Sequence, residues 1–578
     1  MRLLLIIALL TFPLSTQAKV YNVSTTGINT PGCGLSTPCT SYYYLMTKGC
    51  DSDGCSNNVK PGDVVQFAPG TYREQLNITL KGSPANPVWV TCSGSQGDCT
   101  ISGAGLNLKP YDALVNLMGV NYLVFSRMKT MNQPPSVYGL AISGDSHHVE
   151  LRANVFDGTN SSENLVVTAS KDLHDLTIDR NKVINCPGVS TGCTYIRGVK
   201  NLAIVNNEFG PVVSTGNYDC NTIIGAQNAL IDGNTCHDSA DGFDQGMDSS
   251  GILLDRVITR YNRVYGTLTA RAFPISGQYE GVDSPNRFLT GKNTIYKNVV
   301  QTSGGSCVQP YGGAQDILIG YNTCLNTGGY GSGVWLQSEY DYWIQRIYTR
   351  FNIFDTMTKN WNPPLILGSV AKTTKACPPD APCPFVANGL WMGGMAPEDV
   401  AVQWAPSSGG AGKISYYTYK DWDESWNQLP GNGANSHLDP KFINKNTYQD
   451  LKSLGLTASS PYKDRADTLC WATTAGYGNT IPVTCGPPIN DARYFFPSPE
   501  AFYRLNDADC WSGGARAAYP PSGGCFSLQV QGCGPRRATA VQANSITVNG
   551  PACTWSVGAR VHVPWSGSAP EVGALEVP

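Results

Sequence analysis

Apolar and polar residues alternate in short segments over much of the chain, and one such segment recurs eight times between residues 115 and 360. Each copy contains an asparagine, with mostly apolar residues three and five positions before it and two positions after it. Alternation with a period of two is typical of β-strands whose two faces have different surroundings. The aligned asparagines, 26 to 31 residues apart, are Asn154, Asn181, Asn207, Asn234, Asn262, Asn293, Asn322 and Asn352.

The regular spacing predicts a stacked solenoid. A repeat of this length with three short strands corresponds to one coil of a parallel β-helix. The asparagines are then expected to form a ladder in which each amide bonds the backbone of a neighbouring coil. Cys236 and Cys324 fall in the inward column, where core packing is the simplest role. A second strand is predicted before each asparagine segment, at 140–143, 166–169, 195–198, 223–226, 252–255, 273–276, 308–311 and 334–337.

Composition agrees with a turn-rich, all-β chain. Of the 578 residues, 62 are glycine and 14% are charged, and the formal net charge of −3 favours no nucleic-acid partner. Residues 1–18 have the pattern of a signal peptide with cleavage near Ala18, and no later stretch is long and apolar enough to span a membrane. We therefore expect a secreted, extracellular or periplasmic protein, and we expect it to be a monomer.

The twenty cysteines fit export, because disulfides persist in oxidising compartments. Spacing alone leaves their connectivity open, but several lie close together in sequence and are expected to staple loops. These near pairs are Cys33 and Cys39, Cys50 and Cys55, Cys92 and Cys99, Cys186 and Cys193, and Cys377 and Cys383.

The segment PGDVVQFAPGTYRE (61–74), followed by GSPANPVWV (82–90), resembles the N-terminal cap and first coil of secreted right-handed parallel β-helix proteins. Those proteins include many polysaccharide lyases, such as calcium-dependent pectate lyases. The resemblance implies a right-handed β-helix at 115–360, preceded by a cap and first coils at 19–114. Residues 361–578 are expected to be a disulfide-rich β region that caps the helix, or else a carbohydrate-binding module.

A run of aspartates without a neighbouring lysine or arginine lies in HDSADGFDQGMD (237–248). We expect a loop over 237–250 that leads into a strand ending at Asp255, so that several carboxylates converge on one patch. Such a set suits Ca²⁺, which takes six to eight oxygen ligands. The stretch ADGFD (240–244) is also similar to an acidic motif of calcium-dependent pectate lyases. The predicted metal ligands are Asp241, Asp244, Asp248 and Asp255; a solvated loop or a structural calcium site are the alternatives.

The predicted activity is a polysaccharide lyase that cleaves a uronic-acid polymer by calcium-assisted β-elimination. Candidate bases are Arg271, Arg197 and His237, since no lysine stands where the pectate lyase pattern would place one. Tyr311 and Trp335 are predicted to contact the polysaccharide by stacking on sugar rings. A glycoside hydrolase or uronan epimerase on the same fold, or a non-catalytic carbohydrate-binding surface protein, remain alternatives.

Overall fold

The computed structural model describes much of the chain, with gaps at several loops and at both termini. The described residues are 18–50, 55, 58–158, 163–168, 173–187, 192–213, 218–246, 254–266, 271–277, 291–302, 305–312, 314–325, 333–337, 345–350, 352–355, 365–368, 385–386, 389–391, 400–404, 415–418, 457–460, 469–485, 490–496 and 527–562. Residues 1–17 of the predicted signal peptide and Asp248 lie outside these residues.

Three parallel sheets wind around one core, which confirms the predicted all-β parallel solenoid. Two long strands, Thr194–Val205 and Asp219–Asp232, bend from what we name the first sheet into the second. The other first-sheet strands are Leu76–Ile78, Ala113–Met118, Tyr138–Ser143, Leu165–Thr168, Asp241–Gly246, Arg271–Ser276, Ser306–Tyr311, Val334–Gln337, Leu365–Gly368 and Val400–Trp404, with Ser415–Thr418 added antiparallel at its end.

The second sheet continues from these bends, and the third closes each coil. Second-sheet strands are Val20–Val23, Val64–Phe67, Val88–Cys92, Asn121–Ser126, His147–Arg152, His174–Asp179, Asp255–Arg260, Asn293–Tyr296, Gln315–Gly320, Gln345–Arg350 and Phe385–Val386. Third-sheet strands are Gly70–Tyr72, Cys99–Ser102, Met128–Met131, Val155–Asp157, Lys182–Ile184, Glu208–Phe209, Thr235–His237, Arg263–Gly266, Val299–Thr302, Thr323–Leu325, Ile353–Asp355 and Gly389–Trp391. Cys186–Pro187 pairs with Val212–Val213 outside these sheets.

The alternating apolar positions point into the solenoid as predicted. Val149 pairs in register with Leu176, Leu176 with Leu202, and Leu202 with Ala229, and all four are buried. Columns of like side chains therefore stack along the axis, and each coil buries its apolar residues against those of the coils before and after it.

The asparagine ladder is present, with one correction. The backbone N–H of Asn181 donates to Oδ1 of Asn207 at 2.8 Å, and Nδ2 of Asn207 donates to the carbonyl of Ile178 at 2.8 Å. After Asn262 the ladder continues through Asn298 at 2.9 Å, whereas Asn293 lies in register with Ile317 and bonds the N–H of Val257. The prediction that Asn293 belongs to the ladder was wrong, because the long connection before it shifts the register by five residues.

The prediction of a loop over 237–250 was wrong for residues 241–246. Residues Asp241–Gly246 form a first-sheet strand that pairs with Asp219–Ile224 on one side and with Arg271–Ser276 on the other. The strand that begins at Asp255 belongs to the second sheet, where Asp255 pairs with Gln227. The strand predicted at 252–255 therefore lies earlier in the chain, because Phe243 fills the inward position of this coil.

Eight disulfides join the cysteines of the described residues. Four of them are the predicted pairs Cys33–Cys39, Cys50–Cys55, Cys92–Cys99 and Cys186–Cys193; Cys377 and Cys383 lie outside the described residues. Cys236 and Cys324 are buried in the core, as expected, and each also forms a disulfide. The remaining pairs are Cys220–Cys236, Cys307–Cys324, Cys470–Cys485 and Cys533–Cys553. This density of disulfides is consistent with an extracellular protein.

A short helix, Tyr42–Lys48, packs on the first coils. It begins at Ser41, whose Oγ accepts from the N–H of Tyr44 at 3.1 Å, as a helix N-cap does. The ring of Tyr42 stacks on Phe67 of the second sheet, with centroids 6.3 Å apart. Among the described helices, none combines the length and apolar character needed to cross a membrane.

A small closed barrel follows and packs along the flank of the solenoid. The outward residues Leu230, Ile258 and Leu318 of the second sheet share a buried cluster with barrel residues, and Tyr296 donates from its hydroxyl to the carbonyl of Phe495 at 2.8 Å. The barrel strands are Cys470–Ala472, Thr480–Cys485, Ser527–Val530, Gly534–Val541, Ser545–Val548 and Arg560–His562, accompanied by the pair Gly476–Gly478 and Cys553–Trp555 and by the 3₁₀ turn Ala492–Tyr494.

Candidate functional site

Register in the first sheet brings two aspartates and an arginine side by side. Asp219, Asp241 and Arg271 lie at the starts of three successive strands and are direct neighbours across them. Neighbouring strands are about 4.8 Å apart, so side chains from these positions can touch. The buried rings of Phe243 and Phe273 stack in the core, with centroids 5.9 Å apart, and hold this register.

Arg271 and Asp241 form a close ion pair. The Nη2 atom of Arg271 lies 2.6 Å from Oδ2 of Asp241, and Nε lies 3.2 Å from Oδ1 and 3.1 Å from Oδ2. The aspartate side chain is 1% exposed and the arginine side chain 19%. A bidentate guanidinium pair of this kind is strong because both hydrogen bonds are charge-assisted.

Asp244 lies on the outer side of the same strand. Its neighbours Phe243 and Gln245 are buried, and Asp244 retains partial exposure, as alternation requires. Within the described part of the chain, its Oδ1 atom is enclosed and has no hydrogen-bond partner. The pKa of Asp244 is raised from 3.8 to about 7, mainly by burial and also by the charge of Asp241, while the charge of Arg271 acts to lower it.

Asp219 completes the cluster. Its Oδ2 accepts from the hydroxyl of Thr222 at 2.7 Å, and Thr222 is the direct neighbour of Asp244 in the sheet. Burial raises the pKa of the Asp219 carboxyl well above its usual range, and the charges of Asp244 and Asp241 raise it further. We name Asp219, Asp241, Asp244 and Arg271 the aspartate cluster.

The aspartate cluster can both donate and accept a proton near neutral pH. Arg271 offsets the charge of Asp241, and the remaining carboxyls, Asp219 and Asp244, repel each other if both are ionised. Like charges in a low-dielectric site are relieved when one group keeps its proton, so the two carboxyls titrate as a pair. Perturbed carboxyls of this kind are typical of catalytic sites.

Aromatic and basic side chains border the cluster on the same outer face. The guanidinium of Arg271 lies 5.2 Å from the ring centroid of Tyr311, and Tyr311 follows Gly246 by two coils in register. Arg197 precedes Gly246 by two coils in the same line. Trp335 follows Asp244 by three coils, roughly 14 Å along the axis. On this face Arg197, Tyr311 and Trp335 are partly exposed, and Ser276 is buried.

Asp255 is not brought to the cluster. Asp244 pairs with Thr222 and Asp255 with Gln227, five residues further along the same bent strand, which corresponds to a path of roughly 16 Å. The Asp255 carboxylate instead accepts from the N–H of Lys292 at 3.1 Å and from Nε of Arg256 at 3.4 Å. One ion therefore cannot be shared by Asp255 and the aspartate cluster, and the convergence of all four predicted ligands is corrected.

The candidate bases occupy different positions. His237 lies at the end of a third-sheet strand, where its ring nitrogens face Glu208 at 3.7 Å and Asp238 at 3.0 Å. The hydrogen bond to Glu208 raises the pKa of His237. Arg271 is in the cluster, where burial lowers the pKa of its guanidinium and the hydrogen bonds and charge of Asp241 raise it above the ordinary value; this direction favours the protonated form over a base.

Asp219 was missed from the sequence. It lies in the segment NYDCNTIIGA (217–226), outside the acidic run, and becomes a neighbour of Asp241 only through sheet pairing. A signal was nevertheless present, because Asp219 and Asp241 stand four residues before Ile223 and Gln245, which occupy equivalent inward positions. Aligning DGFDQG with DCNTIIG would have placed the two aspartates together.

The described residues do not test the predicted calcium site as a whole, because its predicted ligand Asp248 lies outside them. Ca²⁺ needs six to eight oxygen ligands, but Arg271 occupies both oxygens of Asp241 and Thr222 occupies one of Asp219. A guanidinium already supplies the local positive charge, so we assign no step to calcium.

Comparisons with known proteins find similarity at the level of shape alone. No protein-family model matches the sequence, and curated proteins give no sequence match. Among solved structures, a GH136 lacto-N-biosidase from Eubacterium ramulus is 14% identical with a TM-score of 0.39 and covers 59% of this chain. An alginate lyase from Paenibacillus sp. str. FPU-7 is 13% identical with a TM-score of 0.36, covering 56% of this chain and 99% of its own.

A third structure, XylC with xylose, is 9% identical with a TM-score of 0.41 and covers 69% of this chain and 89% of its own. The match to the lacto-N-biosidase spans 64% of that chain, which is less than two thirds of its length. These neighbours include both a lyase and a glycosidase. At such identities and TM-scores they assign no activity to this chain. A proposal of function must therefore be based on the geometry of the aspartate cluster.

Proposed function

We propose that this protein is a secreted polysaccharide-active enzyme that cleaves glycosidic bonds by acid–base catalysis at the aspartate cluster. The supporting observation is the set of neighbouring carboxyls in the first sheet. The pKa of Asp244 is raised to about 7, and its Oδ1 is enclosed without a hydrogen-bond partner among the residues that the structure describes. Hydrolysis by a pair of carboxyls is the chemistry that such an arrangement supports best.

Each residue of the cluster has a role in this proposal. Asp244 is the more exposed of the two proton-sharing carboxyls and donates the proton to the glycosidic oxygen. Asp219 and Asp244 share one proton, and Asp219 accepts a proton from the attacking water in the state in which Asp244 holds the shared one. Asp241 keeps negative charge near the sugar ring, where positive charge develops in the transition state, and Arg271 positions Asp241.

The substrate proposal rests on the neighbouring side chains. Tyr311 and Trp335 are partly exposed on the same outer face, and aromatic rings can stack on the apolar faces of sugars. Tyr311, two coils from Gly246 in register, and Trp335, three coils from Asp244, lie to the same side, so a chain running along the solenoid axis could contact both. A polysaccharide therefore fits this surface better than a small sugar does.

The decisive experiment incubates the purified, exported protein with a panel of polysaccharides, including polygalacturonate, alginate, glycosaminoglycans and neutral β-glucans. New reducing ends without ultraviolet absorbance are expected, since hydrolysis leaves no double bond. The matched variant is Asp244→Asn, which should stay folded and cleave none of the polysaccharides in the panel. Binding without cleavage of any polymer would instead indicate a non-catalytic carbohydrate-binding protein.

Lyase activity is the second candidate function, favoured by Arg271, whose guanidinium lies at the cluster beside Tyr311 and could neutralise a uronate carboxylate. Its signature is the ultraviolet absorbance of the unsaturated product, together with activity restricted to uronic-acid polymers. A chelator arm tests the predicted role of calcium separately: a calcium-dependent lyase loses activity with chelator and recovers it when Ca²⁺ is added. The hydrolase proposed above should be unaffected by chelator.

A further inference from the structure

Three of the six histidines of the chain meet at one corner of the solenoid, away from the aspartate cluster. His147 and His174 begin second-sheet strands of successive coils and pair directly, with their rings stacked at 5.0 Å and 3° apart in plane. His148 and Asp175 follow them, both with a left-handed backbone, φ of 52° and 55°. The same turn conformation in neighbouring coils places these two side chains next to each other.

Ligand-type atoms converge at this corner. Nε2 of His148 lies 3.3 Å from Oδ2 of Asp175, and Nδ1 of His174 contacts the same oxygen. One ligand atom from each of the three residues lies within 4.8 Å of the others. Two ligands of a tetrahedral zinc ion, each about 2.1 Å from the metal, are about 3.4 Å apart, which is close to the His148–Asp175 separation.

The groups behind these atoms are oriented by further hydrogen bonds. Nδ1 of His148 lies 2.8 Å from Nδ1 of His147, so the second nitrogen of the ring is already engaged. Oδ1 of Asp175 accepts from Nδ2 of Asn201 at 2.9 Å, which leaves Oδ2 directed at the histidines. Metal-binding imidazoles and carboxylates are commonly held by such outer partners, which fix the ring orientation and the free oxygen.

We propose that His148, His174 and Asp175 form a binding site for a divalent transition metal of the zinc type, with His147 and Asn201 as positioning residues. Two imidazoles and one carboxylate suit Zn²⁺, Co²⁺ or Ni²⁺ rather than calcium, which prefers oxygen alone. The site is partly open, because the His174 side chain is 37% exposed. Three protein ligands leave a position for water or for a group of another molecule.

The site is distinct from the aspartate cluster. His147 and His174 begin strands of the second sheet, whereas the aspartate cluster lies in the first sheet several coils further along the chain. The repeat itself contained the signal, because HHVE (147–150) and HDLT (174–177) occupy the same register in adjacent coils. The proposal is therefore independent of the proposed polysaccharide cleavage.

The test measures zinc binding by isothermal titration calorimetry on tag-free protein that has been treated with chelator and dialysed. One Zn²⁺ per chain is expected, and Co²⁺ should give the visible absorption of a four-coordinate ion. His174→Ala and Asp175→Asn should each lower the affinity by more than tenfold, and His147→Ala by roughly tenfold through the loss of an outer partner.

His237→Ala is the matched control, since it also removes a histidine that faces two carboxylates, Glu208 and Asp238, on another side of the solenoid. Its zinc affinity should equal that of the wild type. His174 is partly exposed, so its replacement should leave the thermal unfolding of the metal-free protein almost unchanged. The proposal is overturned if the wild type takes up no stoichiometric Zn²⁺, or if His174→Ala and Asp175→Asn bind it as the wild type does.

Discussion

Arg271 forms an ion pair with Asp241 of the preceding coil, with Nη2 of Arg271 2.6 Å from Oδ2 of Asp241. This contact neutralises the most buried of the three cluster carboxyls and leaves Asp219 and Asp244 to share protons. Burial also raises the pKa of Asp241, and the hydrogen bonds and charge of Arg271 lower it. The ion pair thus engages Asp241 and leaves Asp219 and Asp244 as the pair that can exchange a proton with a substrate. The following predictions concern this division and the solenoid that supports it.

Asp244→Asn is expected to reduce kcat/KM on the polymer that the panel identifies by roughly 10²- to 10⁴-fold, because the amide cannot donate the proton that an acid supplies. Steady-state assays of reducing ends measure the loss. Asp238→Asn, which alters an aspartate whose side chain is 50% exposed on the third sheet, serves as the control and should retain activity. Wild-type rates for Asp244→Asn would rule out its role as the acid.

Activity should fall as the pH rises through about 7, because Asp244 has its pKa raised to about 7 and donates only while protonated. The measurement is kcat/KM between pH 4 and pH 9 with the same polymer. A profile that instead increases steadily above pH 7 would contradict an acid with this pKa and would favour a base that must lose its proton.

Stability should also decline with pH because of Asp244. A carboxyl whose pKa rises from 3.8 unfolded to about 7 folded binds more protons in the folded state between these values. The free energy of unfolding therefore decreases as the pH rises from about 4 to about 7 and then levels off. In Asp244→Asn this decline should be smaller. The melting temperature of the variant minus that of the wild type should therefore increase from pH 4 to pH 8. Parallel curves for the two proteins would contradict the shift.

Arg271→Met should destabilise the fold by about 3–5 kcal/mol, since it leaves the carboxylate of Asp241 buried without its partner. Denaturant unfolding measures the change, and adding Asp241→Asn should recover part of it. Arg256→Met is the matched control, because Arg256 and Asp255 form a partly exposed pair whose loss should cost less than about 1 kcal/mol. Equal effects of the two arginine variants would count against a buried ion pair.

Asn207→Ala should lower the free energy of unfolding by about 3 kcal/mol or more, because the Asn181 N–H and the Ile178 carbonyl would lose their partners inside the core. Chemical denaturation of protein from a non-glycosylating host tests this. Asn77→Ala, at an exposed position of the first sheet, should cost less than about 1 kcal/mol. A change below 1 kcal/mol at Asn207 would show that the ladder is not a major source of stability.

The solenoid was predictable because its signal is repeated. Inward residues such as Leu176, Leu202 and Ala229 recur at a nearly constant spacing, and each copy supports the others. The prediction failed where a long insertion interrupts the repeat, at Asn293, because the local pattern there resembles the ladder segment closely enough to be aligned five residues early. The site was harder to predict, since Asp255 was placed with Asp244 by assigning a strand that ends at Asp255, whereas the strand of this coil is 241–246.

The sequence by itself determined the class of fold, the ladder in most coils and four of the disulfides, since period-two alternation and short cysteine spacings are local properties of the chain. Only the tertiary structure decided which side chains meet: Asp219 with Asp241, Arg271 with Asp241, and His148 with Asp175. The physical reason is that contacts across a parallel sheet depend on register between coils 22 or more residues apart. The connections between the strands vary in length, and the packing of inward rings such as Phe243, not sequence distance, fixes that register.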